Sequence, residues 1–577
     1  MDMVKQPKNK GYWVRIFLSN KFFLKVRLFL RIYGAVAVIC FSATAVSAQS
    51  PWLGKWWIEF KDKTETPYSL SRPQEFLSAR SLERRAKQGV PVLSEDLPVD
   101  PAYLEGLRRL GLDIHGVSRW MNAAAVIADS VVIKRALELP YVHQVRYLGR
   151  HIRIKNPPNR PTKVRTVFPE NRSAEAQFGP MGYGLINSAA LQVPFLQAVG
   201  ARGKGIWIAV MDGGFTNVDT MPFFDSVALQ QRLWPGPDLV ERDQAVFESA
   251  HHGTAVLSVM ASNSPGYFVG TAPEATYFLI KTEDTGGEFP IEEVNWILGA
   301  EWADSIGVDV INASLGYTIF NDTLLNHRYE ELDGKSTIAS RGASIAARKG
   351  MIICNSAGNS GEEPWRYLGV PADVPGIVAV GATDSQSGEM APFSSWGPTA
   401  DGRIKPDLTA PGMNVVTAGT VGEELAVSAG TSVASPILAG GIASLWSAFP
   451  EVPASHLLNA LFETADHYHE PGLHSGYGTP NLAKAWLQLK GIHVVGKDRW
   501  YGYQNDQDQL VILTESQYPL QSGSVLIKDW LGRICLQSYA WVSGEKVQVI
   551  EIPGLATLPH GIYRVAISSG GSFYWGK

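Results

Sequence analysis

The sequence predicts an α/β protein: a doubly wound, mostly parallel sheet, preceded by a small α+β unit and followed by a β-sandwich. Three observations carry this. Between residues 181 and 490, apolar runs at 205–211, 277–281, 308–312, 350–354 and 376–380 alternate with helical stretches such as 291–305 and 336–348. Unbroken apolar runs suit strands buried on both faces, as in a parallel sheet flanked by helices. Ahead of this, residues 49–154 pack strand and helix patterns into about a hundred residues. Behind it, residues 497–577 show short alternating runs with no helical period.

In chain order, residues 1–48 read as a targeting segment. Eight Lys and Arg lie within residues 1–31 against the single acid Asp2; the apolar run 32–41 and small residues up to Ala48 follow. The layout fits a signal peptide cut before Gln49. The alternative is an uncut anchor, since 17–41 is apolar with basic interruptions, although the core run is too short to span a bilayer alone.

In the unit 49–154, strands are expected at 56–60, 122–127 and 142–148, and helices at 81–87, 103–110 and 131–139, the last ended by Pro140. That alternation suits a ferredoxin-like α+β fold. Residues 155–180 form a linker with Pro157, Pro158, Pro161 and Pro169 among Lys and Arg. Such a stretch buries little and is expected to be exposed and open to proteolytic cutting. The tail 497–577 has runs at 509–513, 524–528, 546–552 and 561–567, punctuated by Gly523, Gly532, Gly544 and Gly561, as in a small antiparallel sandwich.

At 577 residues the chain exceeds a single core. A net charge of −4 gives no sign of nucleic-acid binding. Beyond Ala48 only Cys354 and Cys535 remain, in different units, so disulfides are not the means of stability. Cys354 reads as a buried thiol.

Three motifs carry chemistry: Asp212 in Ala-Val-Met-Asp-Gly-Gly, His252 in His-His-Gly-Thr, and Ser432 in Gly-Thr-Ser-Val-Ala-Ser-Pro. A serine hydroxyl needs a base to take its proton, and the base needs a carboxylate to orient it. Asp212 ends an apolar strand, where active groups of α/β sheets gather. Ser432 opens a helical run, which places peptide N–H groups and the positive dipole end beside developing charge. Gly430 and Ala434 leave room for a substrate backbone. Asn359, in Ser-Ala-Gly-Asn, offers a side-chain amide to an oxyanion. Taken singly, each has an ordinary reading: a helix cap for Ser432, turns for Asp212 and Asn359.

The order Asp, His, Ser is that of subtilisin. Across residues 183–489 the chain resembles the subtilisin-like serine proteases. The Ile-Asn-Ala-Ser-Leu-Gly segment 311–316 resembles the family's extended substrate-pairing strand, which implies substrate contacts at Ser314, Leu315, Gly316, Ala357 and Gly358. The stretches 393–398, 405–412 and 476–478 resemble further family motifs. Gly369, before Val-Pro-Ala, is implied at the bottom of the S1 pocket, with room for a large apolar P1 side chain. The resemblance implies Asp212, His252 and Ser432 as catalytic residues and Asn359 as oxyanion donor. There are departures: Gly213 stands where the family carries Ser or Thr, Ala255 where His is frequent, and Val433 where Met is frequent. The loop 263–268 lies where relatives hold calcium but lacks a carboxylate, so no cofactor is expected and a structural calcium is weakly supported.

Residues 49–148 resemble the subtilisin propeptide, a folding chaperone and inhibitor. Residues 527–533 and 558–565 resemble the sorting domain of the type IX secretion system; a plain β-sandwich adhesion module is the alternative. Together these imply a secreted or surface-held serine endopeptidase of a Gram-negative bacterium, made as a zymogen and acting as a monomer on protein or peptide substrates. The rival reading is an inactive subtilisin-fold protein that binds peptides at the surface. An esterase is disfavoured, because no Gly-x-Ser-x-Gly elbow surrounds Ser432.

Overall fold

The computed structural model describes residues 53–151 and 178–490, together with the backbone of strands at 165–168 and between 500 and 576. The targeting segment 1–48 and the linker stretches 155–164 and 169–177 lie outside the described residues.

The amino-terminal unit runs β1 (Leu53–Phe60), α1 (Ala79–Lys87), α2 (Pro101–Arg109), β2 (Asp113–Ser118), β3 (Ala123–Asp129), α3 (Ser130–Leu137) and β4 (Val142–Arg150). Its antiparallel sheet has the order β2-β3-β1-β4. The helices begin where short polar side chains accept the orphan N–H groups of the first turn. Ser78 caps α1, Asp100 caps α2 and Asp129 caps α3. Strand β2 has no pattern in the sequence, since Asp-Ile-His-Gly-Val-Ser does not alternate; pairing with β3 makes it a strand.

The larger unit is built on seven parallel strands in the order β12-β11-β10-β9-β6-β8-β7. They are β6 (Trp207–Asp212), β7 (Leu233–Asp238), β8 (Thr276–Lys281), β9 (Val310–Ala313), β10 (Ile352–Ser356), β11 (Val378–Asp384) and β12 (Leu408–Met413). The expected strands at 205, 350 and 376 begin two residues later. Gly205, Gly350 and Gly376 have φ of 84°, 80° and 89°, so each closes a turn rather than opening a strand. Strand β7, Leu-Trp-Pro-Gly-Pro-Asp, carries two prolines and sits at the sheet edge, where a missing N–H costs no ladder bond.

Helices α4 (His252–Ala261) and α7 (Thr431–Ser447) cover one face, with α8 (Ala454–Glu463) and α9 (Leu482–Leu489) in the same core. Helices α5 (Ile291–Ile306) and α6 (Ile338–Ala347) cover the other. The second core does not stop at the larger unit. Trp57, Trp120, Met121 and Leu148 pack into it with Trp296 and Ile297 of α5.

Buried charges reinforce that junction. Asp304, at the end of α5 and wholly buried, accepts from Arg84 at 2.5 Å, Arg85 at 2.6 Å and Arg119 at 3.2 Å. Arg85 also holds Asp96, which meets Lys349 at 2.9 Å. Glu301 accepts from Ser118 Oγ and from the Arg119 N–H.

The linker is not free throughout. Strand β5 (Arg165–Phe168) pairs antiparallel with β14 (Leu425–Ser428), which itself pairs with β13 (Val415–Ala418). Residues 165–168 of the linker are thus extended, as composition predicts, and paired in a sheet, which composition does not predict. At the carboxyl end the strands form two antiparallel sheets of three and four strands, from Trp500–Gln504 through Ser572–Gly576. Residues 530–533 and 558–562, which carry much of the sorting-domain resemblance, lie outside the described residues.

Candidate active site

Strand ends and helix starts at one edge of the parallel sheet bring the predicted residues together around a cleft of about 1030 Å³. Asp212 ends β6 and is 1% exposed. Its Oδ1 accepts the Gly213 N–H at 2.8 Å. His252 begins α4, and its Nδ1 lies 3.0 and 2.9 Å from the two Asp212 oxygens. Burial pulls the proton affinity of His252 down. The charge and hydrogen bond of Asp212, with Glu283 behind, outweigh it and hold the imidazole above its ordinary value. The side chain is 37% exposed, and its ring lines the cleft. His251 takes the N-cap position of α4 and also lines the cleft.

Ser432 is the second residue of α7, whose N-cap is Gly430, so Ser432 is not the helix cap. Helix α7 contains Pro436, four residues after Ser432. A proline has no N–H to give to the carbonyl four residues back. Ser314 Oγ fills that gap by donating to Ser432 O at 2.7 Å. Asn312 Nδ2 donates to Ser314 Oγ at 3.0 Å, and Ser435 Oγ donates to Asn312 Oδ1 at 2.8 Å. The segment after β9 is thereby tied to the turn that carries Ser432.

Asn359 is oriented by its neighbour. Its Oδ1 accepts from the Thr431 N–H at 2.8 Å and from Thr431 Oγ1 at 2.9 Å. That leaves the amide nitrogen for the cleft. A Cβ placed on Gly430 would stand 2.8 Å from Ser432 Oγ, 3.5 Å from Asn359 Nδ2 and 3.6 Å from Ser432 N. One small volume, empty because residue 430 is glycine, is therefore bordered by a hydroxyl, a side-chain amide and a first-turn backbone N–H. First-turn N–H groups have no partner within the helix, and the positive end of its dipole lies beside them.

Ser314, Leu315, Gly316, Gly358 and Gly369 all line the cleft. The Leu315 carbonyl accepts from Asn355 Nδ2 at 2.9 Å and Ser356 Oγ at 3.0 Å. Gly316 and Gly369 face each other so closely that a Cβ on Gly369 would lie 3.2 Å from Gly316 Cα. Ala357 is fully buried behind the wall, its N–H on Val380 O and its carbonyl accepting from the Gly369 N–H. It supports the wall rather than facing the cleft.

Two further side chains stand here without a signal in the sequence. Glu283, which lines the cleft, accepts from the buried Tyr317 hydroxyl at 2.9 Å, although 34 residues separate them. In the loop 263–268, Asn263 Oδ1 accepts from Arg202 Nη2 at 3.2 Å, and the segment has no carboxylate. Among the described residues no cluster of three metal-ligating side chains occurs.

Residues 203–479 match the subtilase family, and residues 55–164 match the Bacteroidota propeptide domain of peptidase S8. The chain carries a subtilase domain behind an S8 propeptide domain. The chain is 28% identical over 359 residues to a thermostable alkaline protease of Halalkalibacterium halodurans, covering 62% of this chain and 86% of that protein. It is 28% identical over 313 residues to subtilisin DY of Bacillus licheniformis, covering 54% and 99%. With serine protease AprX of Bacillus subtilis it shares 27% over 297 residues, 46% of this chain and 63% of that protein. The enzyme class of the subtilase domain is serine-type endopeptidase.

Proposed function

We propose that Ser432, His252 and Asp212 form the catalytic triad of a secreted endopeptidase made as a self-inhibited precursor. Ser432 Oγ attacks the scissile carbonyl while His252 takes its proton and later returns it to the leaving amine. Asp212 holds the imidazole in one tautomer and stabilises its protonated form. The carbonyl oxygen becomes an oxyanion between Asn359 Nδ2 and the Ser432 N–H. The observation that carries this is the shared volume at Gly430, where nucleophile and both donors meet.

The segments around Leu315 and Gly358 bind the extended substrate backbone. The Gly316–Gly369 contact closes the S1 pocket, which takes large apolar P1 side chains. All reacting groups come from the chain itself, so no cofactor enters the scheme. The buried junction of Arg84, Arg85 and Arg119 with Asp304 supports a propeptide that stays docked until the linker is cut. Signal cleavage before Gln49 and a type IX sorting role for 497–577 complete the route to the cell exterior. Among the described residues no helix is long and apolar enough to cross a membrane.

A fluorophosphonate probe tests the central reading. Matured protein should be labelled and a Ser432→Ala variant should not; equal labelling of the two sinks the triad. For the route, deletion after Val495 should leave an active protease in the periplasm, and its appearance in the medium would remove the sorting role.

A further inference from the structure

Besides Asp212, four carboxyl residues line the cleft, Glu283, Asp284, Glu288 and Glu292, and the catalytic scheme uses none of them; Glu283 stands beside the Asp212 strand end. Two residues before it, Lys281 of β8 stands in register with Asp212 of β6. The Thr282 N–H donates to Asp212 O at 2.9 Å. The backbone thus delivers Glu283 to the level of Gly213. Its Cβ lies 3.6 Å from where a Cβ on Gly213 would stand, and Thr285 Cγ2 lies 3.3 Å from the same point. The space that a serine or threonine side chain would claim beside Asp212 is therefore bounded by Glu283 and Thr285.

We propose that Glu283 is a positioning residue, a further carboxyl beside the Asp212–His252 pair whose negative charge strengthens His252 as a base. The inference rests on the triad reading above.

Tyr317 makes both protonation states of Glu283 tenable. Its hydroxyl donates to Glu283 Oε1 at 2.9 Å and lies 3.2 Å from Glu292 O. One hydroxyl proton serves one acceptor. When Glu283 is a carboxylate, Tyr317 donates to it. When Glu283 is protonated, it can donate to the Tyr317 oxygen, and Tyr317 then donates to the Glu292 carbonyl.

The surrounding charges are mostly negative. Asp212 of β6, Glu292 of α5, Asp284 and Glu288 of the adjoining loop and His252 of α4 line the same cleft as Glu283, and the charges of Glu288 and Asp212 act on it. Lys55, on β1 of the propeptide, lies near Asp284 and Glu292. Burial, ahead of the charges of Glu288 and Asp212, pushes the Glu283 carboxyl up to about 8, against hydrogen bonds from Thr282 and Tyr317. Burial and the charge of Glu283 also hold the Glu292 carboxyl well above its ordinary value, so the two carboxyls give up their protons as a coupled pair on the alkaline side of an ordinary glutamate. In the transition state His252 carries a proton, in the ground state it does not. A new negative charge nearby stabilises the first more than the second, so it acts on kcat.

The test is kcat and KM across pH 5–10 for the matured enzyme, its Glu283→Gln and Tyr317→Phe variants, and Ser432→Ala. Wild type should rise in two steps, the first with His252 and the second near pH 8. Glu283→Gln should show one step, with kcat at pH 9 lower by roughly threefold to tenfold and KM unchanged. Tyr317→Phe should move the second step to higher pH, because the hydrogen bond lost from the charged carboxylate is stronger than the one lost from the neutral acid; it also serves should Glu283→Gln not fold. A Glu283→Gln profile that superposes on wild type, a single step in wild type, or an effect confined to KM overturns the proposal. If Ser432→Ala keeps activity, the triad reading fails. If Ser432→Ala is dead and Glu283→Gln matches wild type, only the role of Glu283 fails.

Discussion

Replacing Gly430 with alanine should abolish most turnover while leaving the protein folded. The added methyl would stand 2.8 Å from Ser432 Oγ, inside the roughly 3.5–4.0 Å of a comfortable non-bonded contact. It would also lie 3.5 Å from Asn359 Nδ2 and 3.6 Å from Ser432 N, in the volume where an oxyanion must sit within hydrogen-bond reach of both. Removing one such donor lowers kcat by about 10²–10³ in subtilisin. A methyl that shields two donors and crowds the nucleophile should cost at least the upper end of that range, about 10³. The backbone at 430, with φ of 156°, adds local strain on the order of 1–2 kcal/mol, enough for a few degrees of Tm but not for unfolding. The assay is single-turnover cleavage of a chromogenic peptide, with linker processing supplied in trans by wild-type enzyme. Combining Gly430→Ala with Asn359→Ala should be far from additive, since both act on one volume. A folded Gly430→Ala protein with kcat within tenfold of wild type would refute the oxyanion assignment.

Three further outcomes are expected. Asp304→Asn removes the charge that Arg84, Arg85 and Arg119 share, and breaking a buried ion pair costs roughly 3–5 kcal/mol; the propeptide should release earlier, and an unchanged lag before activity would count against its role as the latch. Gly369→Ala forces apart the contact with Gly316, so kcat/KM for aromatic P1 substrates should fall about tenfold while that for alanine at P1 changes little; uniform loss across P1 residues would place Gly369 outside the pocket. His327 meets Glu293 at 2.9 Å; burial opposes its charge, but Glu293 and then Glu331 hold the imidazole above the ordinary 6.5. A raised value in the folded state contributes stability below pH 6.5 that is lost as pH rises through the folded value, so protease nicking of residues 317–333 should increase at alkaline pH, and His327→Ala should be nicked equally at both ends of the range.

Much of this protein was legible in its residues alone. Apolar runs placed the central strands of the parallel sheet, because a strand buried on both faces can afford no polar alternation. The short motifs around Asp212, His252 and Ser432 could be read because each sits where local rules are strict: a strand end, a helix start, a glycine that admits close approach. The Pro436 that frees the Ser432 carbonyl was visible in the sequence too, but its partner Ser314 lies 118 residues away.

Other features were decided only in three dimensions. Strand β2 exists through its partner β3, and strand β7 survives its prolines because it is at an edge. Arg84 and Arg85 look like solvated helix charges, yet both are buried, since α1 docks on the end of α5 where Asp304 waits. Glu283 and Tyr317 carry no spacing signal; the register of β8 with β6, and the turn after β9, bring them together. Local sequence sets the backbone shapes and the motifs of the candidate site, through sterics, capping and burial pattern that act within a few residues. Which charges end up buried, and which second carboxyl stands beside Asp212, depends on contacts between segments tens to hundreds of residues apart, and only the packed tertiary structure brings those together.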